Sequence, residues 1–210
     1  MIKIVILGST GSIGKTTLNI IKKNKKKFKI VLLSANSNAK ILYNQAKEFD
    51  VKNVILLNNK KNKLWIKKFH KKKINTFDNY LAFNKILKKK IDYVINAISG
   101  IDGLQPTLSI IKYTKKIAIA NKESIICGWN LINRELSKNK TEFIPVDSEH
   151  FSIYELIKNQ QKQSIKKIII TASGGPFLKV NKKKIKIKDA LKHPNWKMGK
   201  KITIDSSTLM

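Results

Sequence analysis

An α/β architecture, with a doubly wound parallel sheet in its N-terminal part, is the fold this sequence predicts. Three observations predict it. Short apolar runs without polar alternation recur up to about residue 145, as strands buried on both faces require. Between them, apolar residues return at helical spacing. Past Phe143 the texture changes, so a domain boundary is placed between Phe143 and Glu149.

The elements follow in order. Ile2–Leu7 is a buried-strand run ended by Gly8, and from Ser12 the residues Ile13, Thr17, Ile20 and Ile21 mark a helix. Phe28–Leu33 reads as the second strand, followed by the polar turn Ser34–Asn38 and a helix through about Phe49. Val54–Leu57 is the third strand. In the Lys-rich stretch from Asn58 to Phe77, Leu64, Trp65 and Phe69 predict a short amphipathic helix. Ile91–Ala97 is a strand, Leu104, Leu108 and Ile111 mark a helix, and Lys116–Ala120 is a strand leading into Asn121. Ile125, Trp129, Ile132 and Leu136 then form a helical stripe. Beyond the boundary, Phe151, Tyr154 and Ile157 read as helix, Ile165–Thr171 as a long strand, Ala172–Pro176 as a turn, Asp189–Leu191 as a short helix and Ile202–Asp205 as a last strand.

Composition narrows the function classes. With 42% hydrophobic residues the 210-residue chain can bury a real core, which excludes a compositionally disordered protein. The net charge of +31 suits a nucleic-acid partner, but Arg134 is the only arginine among 44 basic residues. Surfaces that grip phosphates recruit Arg for its bidentate fork and its stacking. Here lysines cover nearly every helix and loop, and Lys, Asn and Ile share A/T-rich codons, so nucleotide bias accounts for the charge. No specific nucleic-acid partner is expected. Cys127, the lone cysteine, sits in a helical pattern and reads as a small buried hydrophobe. No run is long enough to span a membrane, and the N-terminus enters a strand at once, leaving no room for a signal peptide. The reduced cytoplasm is the expected compartment.

Gly8-Ser9-Thr10-Gly11-Ser12-Ile13-Gly14 joins the first strand to the first helix, the context of a Rossmann-like dinucleotide fingerprint. Gly8 and Gly11 let the backbone approach a pyrophosphate at the helix N-terminus, and Gly14 lets helix and strand pack closely. The alternative is a tight turn without ligand. The second strand ends in Ser34-Ala35-Asn36-Ser37-Asn38, with no carboxylate for a ribose 2′-hydroxyl, which favours NADP(H), with Lys40 nearby for a phosphate.

Asp147 and Glu149 stand two apart in Pro145-Val146-Asp147-Ser148-Glu149-His150. In an extended segment both face one side and suit a hard cation such as Mg²⁺ or Mn²⁺; at a helix start they are a cap and a first-turn acid. Asn121-Lys122-Glu123-Ser124 lies at the carboxyl edge of the sheet, as a ligand contact or a helix cap. Ser173-Gly174-Gly175-Pro176 is a phosphate-binding turn or a plain one. His193-Pro194-Asn195-Trp196-Lys197-Met198-Gly199 is a lid over a ligand or a packed loop.

In this order and separation, GSTGSIG, NKES, PVDSEH, SGGPF and HPNWKMGKKITIDSSTLM closely resemble the 1-deoxy-D-xylulose 5-phosphate reductoisomerase family, from Met1 to Met210. The resemblance implies a Rossmann-like NADPH-binding domain over residues 1–145. It implies the first part of a metal- and substrate-binding α+β catalytic domain over residues 146–210, incomplete because the family continues with Asn-Lys-Gly-x-Glu and a helical region. It implies that Thr10, Gly11, Ser12 and Ile13 hold the NADPH pyrophosphate. Asn36, Ser37 and Asn38 would hold the adenosine phosphate, where many members have Gly and Lys at the first two places. Asn121 and Glu123 would contact NADPH, and Lys122 and Ser148 the substrate. Asp147 and Glu149 would be ligands of Mn²⁺ or Mg²⁺, with the third carboxylate in the Asn-Lys-Gly-x-Glu run. Ser173 and Ser206 would hold the substrate phosphate, and His193 would ride on the closing loop with Trp196 and Met198. The implied chemistry converts a sugar phosphate, 1-deoxy-D-xylulose 5-phosphate, to 2-C-methyl-D-erythritol 4-phosphate in the non-mevalonate isoprenoid pathway. Retro-aldol cleavage and re-addition would give an aldehyde that NADPH reduces, in a homodimer when the chain is full length.

Two other readings compete. One is an incomplete copy retaining only nucleotide binding, or a basic nucleic-acid-binding protein. The other is a short-chain-type reductase, which needs Tyr-x-x-x-Lys; Tyr154 and Lys158 have that spacing, but it leaves PVDSEH and HPNWKMG unexplained.

Overall fold

The run Ile2–Leu7 forms strand β1, its last four residues buried, at the interior of a seven-stranded sheet. The computed structural model describes residues 1–170, 174–177, 185–193, 197 and 199–208. Parallel to β1 run β2 (Phe28–Ala35), β3 (Asn53–Leu56), β4 (Asn75–Phe77), β5 (Ile91–Asn96), β6 (Thr114–Ile119) and β7 (Glu142–Pro145). Their order, β4-β3-β2-β1-β5-β6-β7, reverses direction between β1 and β5. A ligand crevice forms at such a switch point, beyond the carboxyl ends of the strands.

Alternation along β1 divides the core. Ile4 and Ile6 pack with Leu18 and Ile21 of α1 (Ser12–Lys23), Leu42 of α2 (Ala39–Glu48) and Phe69 of α3 (Lys63–Lys71). Val5 and Leu7 turn to the opposite face, with Phe83 of α4 (Phe83–Ile86), Ile110 of α5 (Leu104–Ile110) and Ile132 of α6 (Lys122–Asn139). The doubly wound parallel sheet expected from the apolar runs is therefore present.

The chain divides into two compact units, Met1–Asp147 and Ser148–Met210. The second holds α7 (Ser148–Ile157), 3₁₀ turns at Lys162–Ser164, Gly175–Phe177 and Ile187–Leu191, and α8 (Lys200–Thr208). Within it, α8 packs against the turns at Gly175–Phe177 and Ile187–Leu191.

Several expectations need correction. Ile202–Asp205 is helix, not strand: Thr203 is buried while Ile204 is 42% exposed, so packing has overridden β-branched propensity. Residues 165–170 form no strand, and Ile168, Ile169 and Ile170 are at least half exposed. Thr171 lies outside the described residues. Cys127 is exposed, because the buried stripe of α6 runs through Ser124, Gly128, Ile132 and Leu136. Trp129 of the expected stripe is 40% exposed, its ring edge-on to Phe143.

Candidate functional site

The turn after β1 and the start of α1 require glycine at two positions and leave a third glycine open. Gly8 has φ +75°, and a Cβ there would lie 2.7 Å from the Ala97 carbonyl oxygen. A Cβ on Gly14 would lie 2.5 Å from both the Gly8 oxygen and Ser9 Cα, so α1 packs onto the loop through that gap. Gly11 meets nothing nearer than 3.4 Å and is exposed, as are Ser12 and Ile13. Gly8 therefore admits the end of β5 rather than a ligand. Gly11 is the glycine that leaves the loop surface open to one.

Polar contacts fix this loop from below. Gly8 N–H donates to Ser34 Oγ at 3.0 Å, and Ser9 N–H donates to the Ser34 carbonyl at 2.9 Å. Ser9 Oγ donates to Gln45 Oε1 at 2.8 Å while Gln45 Nε2 donates back to the Ser9 carbonyl at 2.9 Å. Ser9, Ser34 and Gln45 are all buried. At the start of α1, Gly11 is the N-cap, with no side chain capping the helix and no acid in its first turn. The positive end of the helix dipole is left facing the exposed Gly11–Ile13 backbone, an arrangement that attracts an anion.

Beside it, Asn36, Ser37 and Asn38 are exposed at the end of β2. Asn38 caps α2 by accepting Ile41 N–H at 3.3 Å, and the Asn36 carbonyl accepts Asn58 N–H at 2.8 Å. Asn36 lines an open cleft with Leu57, Asn58, Asn59 and Asp78. Asp78 thus brings a carboxylate to this cleft from beyond β4, not from the end of β2 where the sequence lacks one.

On the other side of the switch point, Asn121 is 4% exposed and its amide is committed. Its Oδ1 accepts Ser124 N–H at 3.1 Å as the α6 cap, and its Nδ2 donates to the Ile98 carbonyl at 2.8 Å. Lys122 and Glu123 are half-buried in the first turn of α6. Asn96, fully buried, ties the same region by donating to the Gly103 carbonyl at 3.0 Å and to Thr107 Oγ1 at 2.6 Å. The carboxyl edge of one sheet thus carries the Thr10–Ile13, Asn36–Asn38 and Asn121–Glu123 sets.

The remaining residues are placed as follows. Asp147 follows β7, and α7 begins at Ser148 with Glu149 in its first turn. The segment is a strand-to-helix junction, so the extended two-residue spacing does not hold across it. His193 is half-buried after the Ile187–Leu191 turn. Ser206 Oγ donates to the Thr203 carbonyl at 2.6 Å within α8. Gly174 and Gly175 have φ of +74° and +61°, a turn glycine alone adopts readily. Ser173, Trp196 and Met198 lie outside the described residues. Among the described residues, no group of three or more His, Cys, Asp or Glu side chains is gathered as for a metal ion. No helix among them is long and apolar enough to cross a membrane.

The sequence reading missed Gln45. The glycine string pointed to the loop, but nothing local marks a glutamine in the next helix as its support. Burial pushes the Tyr80 hydroxyl above the usual tyrosine range, and the Asp102 charge adds to the shift.

A family model described as 1-deoxy-D-xylulose 5-phosphate reductoisomerase matches residues 4–128, and one described as the C-terminal domain of that enzyme matches residues 143–210. The chain is 58% identical to the 1-deoxy-D-xylulose 5-phosphate reductoisomerase of Pelagibacter ubique, over 100% of this chain and 55% of that protein. The structure of the Zymomonas mobilis enzyme in complex with NADPH superposes with a TM-score of 0.87 at 31% identity, over 99% of this chain and 54% of that one. A crystal structure of DOX-P reductoisomerase in complex with NADPH, fosmidomycin and magnesium gives a TM-score of 0.83 at 32% identity, over 100% and 55%. The chain spans about half the length of the relatives it matches.

Proposed function

The chain belongs to the 1-deoxy-D-xylulose 5-phosphate reductoisomerase family, and from that premise we propose that it serves the NADPH- and divalent-metal-dependent conversion of 1-deoxy-D-xylulose 5-phosphate to 2-C-methyl-D-erythritol 4-phosphate. The observation that carries the reading is the exposed Gly11–Ile13 backbone at the uncapped start of α1, on the crevice where the strand order reverses. That backbone suits a pyrophosphate, and Thr10, Gly11, Ser12 and Ile13 are assigned to it. Asn36, Ser37 and Asn38 offer amides and a hydroxyl, with no carboxylate among them, to a 2′-phosphate. Asn121 walls the crevice, its amide holding the Ile98 carbonyl in place, while Glu123 faces the cofactor and Lys122 the substrate.

When bound, NADPH supplies the hydride; a divalent cation supplies a Lewis acid that polarises the substrate carbonyl. Asp147 and Glu149 are assigned as two hard oxygen ligands for Mn²⁺ or Mg²⁺. Ser148 orients the substrate, Ser173 and Ser206 hold its phosphate, and His193 belongs to the loop that excludes water. We read the protein as cytoplasmic, with a small sugar phosphate rather than nucleic acid as its ligand.

A second reading is nucleotide binding without turnover. Consumption of NADPH with 1-deoxy-D-xylulose 5-phosphate and Mn²⁺ or Mg²⁺ separates the two. Turnover that needs both substrate and metal is expected. NADPH binding without turnover would leave only the second reading.

A further inference from the structure

We propose that Gln45 is a positioning residue of the dinucleotide site, acting through Ser9 to fix the glycine loop against the helix that begins at the Asn36–Asn38 turn. The proposal rests on the reading of that loop as the NADPH site. Gln45 lies in α2 and Ser9 follows Gly8; both are buried, Ser9 completely. The two exchange a pair of hydrogen bonds. Ser9 Oγ donates to Gln45 Oε1 at 2.8 Å, and Gln45 Nε2 donates to the Ser9 carbonyl at 2.9 Å. Only one orientation of the amide makes both bonds, because its oxygen accepts and its nitrogen donates. Ala39, Leu42 and Ala46, also buried on α2, belong to the apolar core. A glutamine among them loses solvation and rotamer freedom, costs that this pairing offsets.

Ser9 is where three elements meet. Its N–H donates to the Ser34 carbonyl of β2 at 2.9 Å, and a Cβ on Gly14 of α1 would lie 2.5 Å from Ser9 Cα. The Gln45 side chain brings in α2 as the third. About two helical turns before Gln45, Asn38 caps the same helix by accepting Ile41 N–H at 3.3 Å. The helix is thus a strut between the Asn36–Asn38 turn at its start and the glycine loop at Gln45. The carbonyl that Gln45 holds belongs to the planar Ser9–Thr10 peptide, so the clasp sets the plane of that peptide. Thr10 lies inside a tight turn closed by Gly11 N–H donating to the Gly8 carbonyl at 3.1 Å. Tilting the Ser9–Thr10 peptide therefore carries Gly11 with it and redirects the exposed amides beyond. An amide misdirected by a fraction of an ångström loses much of a charge-assisted hydrogen bond. NADPH spans both the loop and the turn, so their spacing matters to it. Gln45 is buried beneath the loop, and its effect on binding passes through Ser9.

The test reads NADPH affinity of the full chain by fluorescence titration, well below the melting temperature, with thermal stability measured in parallel. Gln45→Met keeps the length of the side chain without either hydrogen bond. It is expected to weaken NADPH about three- to tenfold, the worth of one hydrogen bond. Adenosine 2′-phosphate reaches only the Asn36–Asn38 turn, so its affinity, read by competition, should be the same in parent and variant. Adding Ser9→Ala to Gln45→Met should cost less than the product of the two single effects, because both remove the bond between Ser9 Oγ and Gln45. Gln45→Glu, which keeps the acceptor and loses the donor, replaces Gln45→Met if the latter fails to fold. A Gln45→Met variant that melts earlier yet binds NADPH as the parent does would overturn the proposal. Equal losses for NADPH and adenosine 2′-phosphate, or two effects that simply multiply, would overturn it too. If the parent chain itself binds no NADPH, it is the reading of the loop that fails, and the proposal falls with it.

Discussion

Gly8 and Ala97 approach so closely that a side-chain carbon on Gly8 would lie 2.7 Å from the Ala97 carbonyl oxygen. The ends of β1 and β5 meet there, at the reversal of strand order, so the crevice owes its shape to a missing methyl group. The contrast with Gly11, three residues on, separates a folding glycine from a ligand-facing one. Gly8→Ala is expected to destabilise the first unit by more than about 1 kcal/mol, since φ +75° and the contact both oppose it. Gly11→Ala should cost less in stability and instead weaken NADPH. Urea unfolding and NADPH titration of the two variants check the contrast.

Asn121 closes the opposite wall with two hydrogen bonds, to Ser124 N–H and the Ile98 carbonyl. Asn121→Ala removes both a helix cap and a buried bond, so a loss of about 1–3 kcal/mol is expected in denaturant unfolding. Asn121→Asp keeps the cap oxygen but cannot donate to Ile98, and should retain part of the stability.

Asp92 ties three strands at the amino edge of the sheet. Lys115 Nζ donates to it at 2.8 Å and the Lys3 amide at 2.9 Å, and these bonds hold its carboxyl below the usual aspartate range. A folded pKa below the unfolded one means the unfolded chain takes up the proton first as pH falls. The stabilisation is therefore complete above about pH 4 and lost on further acidification through the folded pKa. Asp92→Asn should unfold earlier than the parent at neutral pH, with the gap closing in acid. A gap unchanged with pH would contradict the assignment.

Asp147→Asn should sharply weaken metal-dependent turnover while leaving NADPH affinity unchanged, because Asp147 lies past β7 and not on the glycine loop. Paired assays of turnover against Mn²⁺ concentration and of NADPH titration check this. Equal loss of both would remove Asp147 from the metal site.

The central strands were legible because β1, β2, β5 and β6 are apolar runs flanked by turn residues. The two edge strands were not. β4 is three residues, Asn75–Phe77, inside a lysine-rich stretch, and β7 is four residues ending in Pro145. Edge strands pair on one side only and need little apolar sequence, and a proline is tolerated there. Ile202–Asp205 misled in the other direction, since isoleucine and threonine favour strands until packing decides otherwise; Thr203 N–H instead donates to the Gly199 carbonyl at 3.0 Å as a helix residue. Within the site, the glycine string announced the loop and its helix. Its supports, Ser34 and Gln45, come from two other elements, and only the fold brings them to Gly8 and Ser9.

An NADP-type site at the glycine loop is tested by parallel titration of the chain with NADPH and NADH at physiological salt. Saturable binding of NADPH is expected, tighter than NADH by about tenfold or more, the worth of one charge-assisted hydrogen bond to the 2′-phosphate. Equal affinity, a preference for NADH, or no saturable binding of either would contradict it.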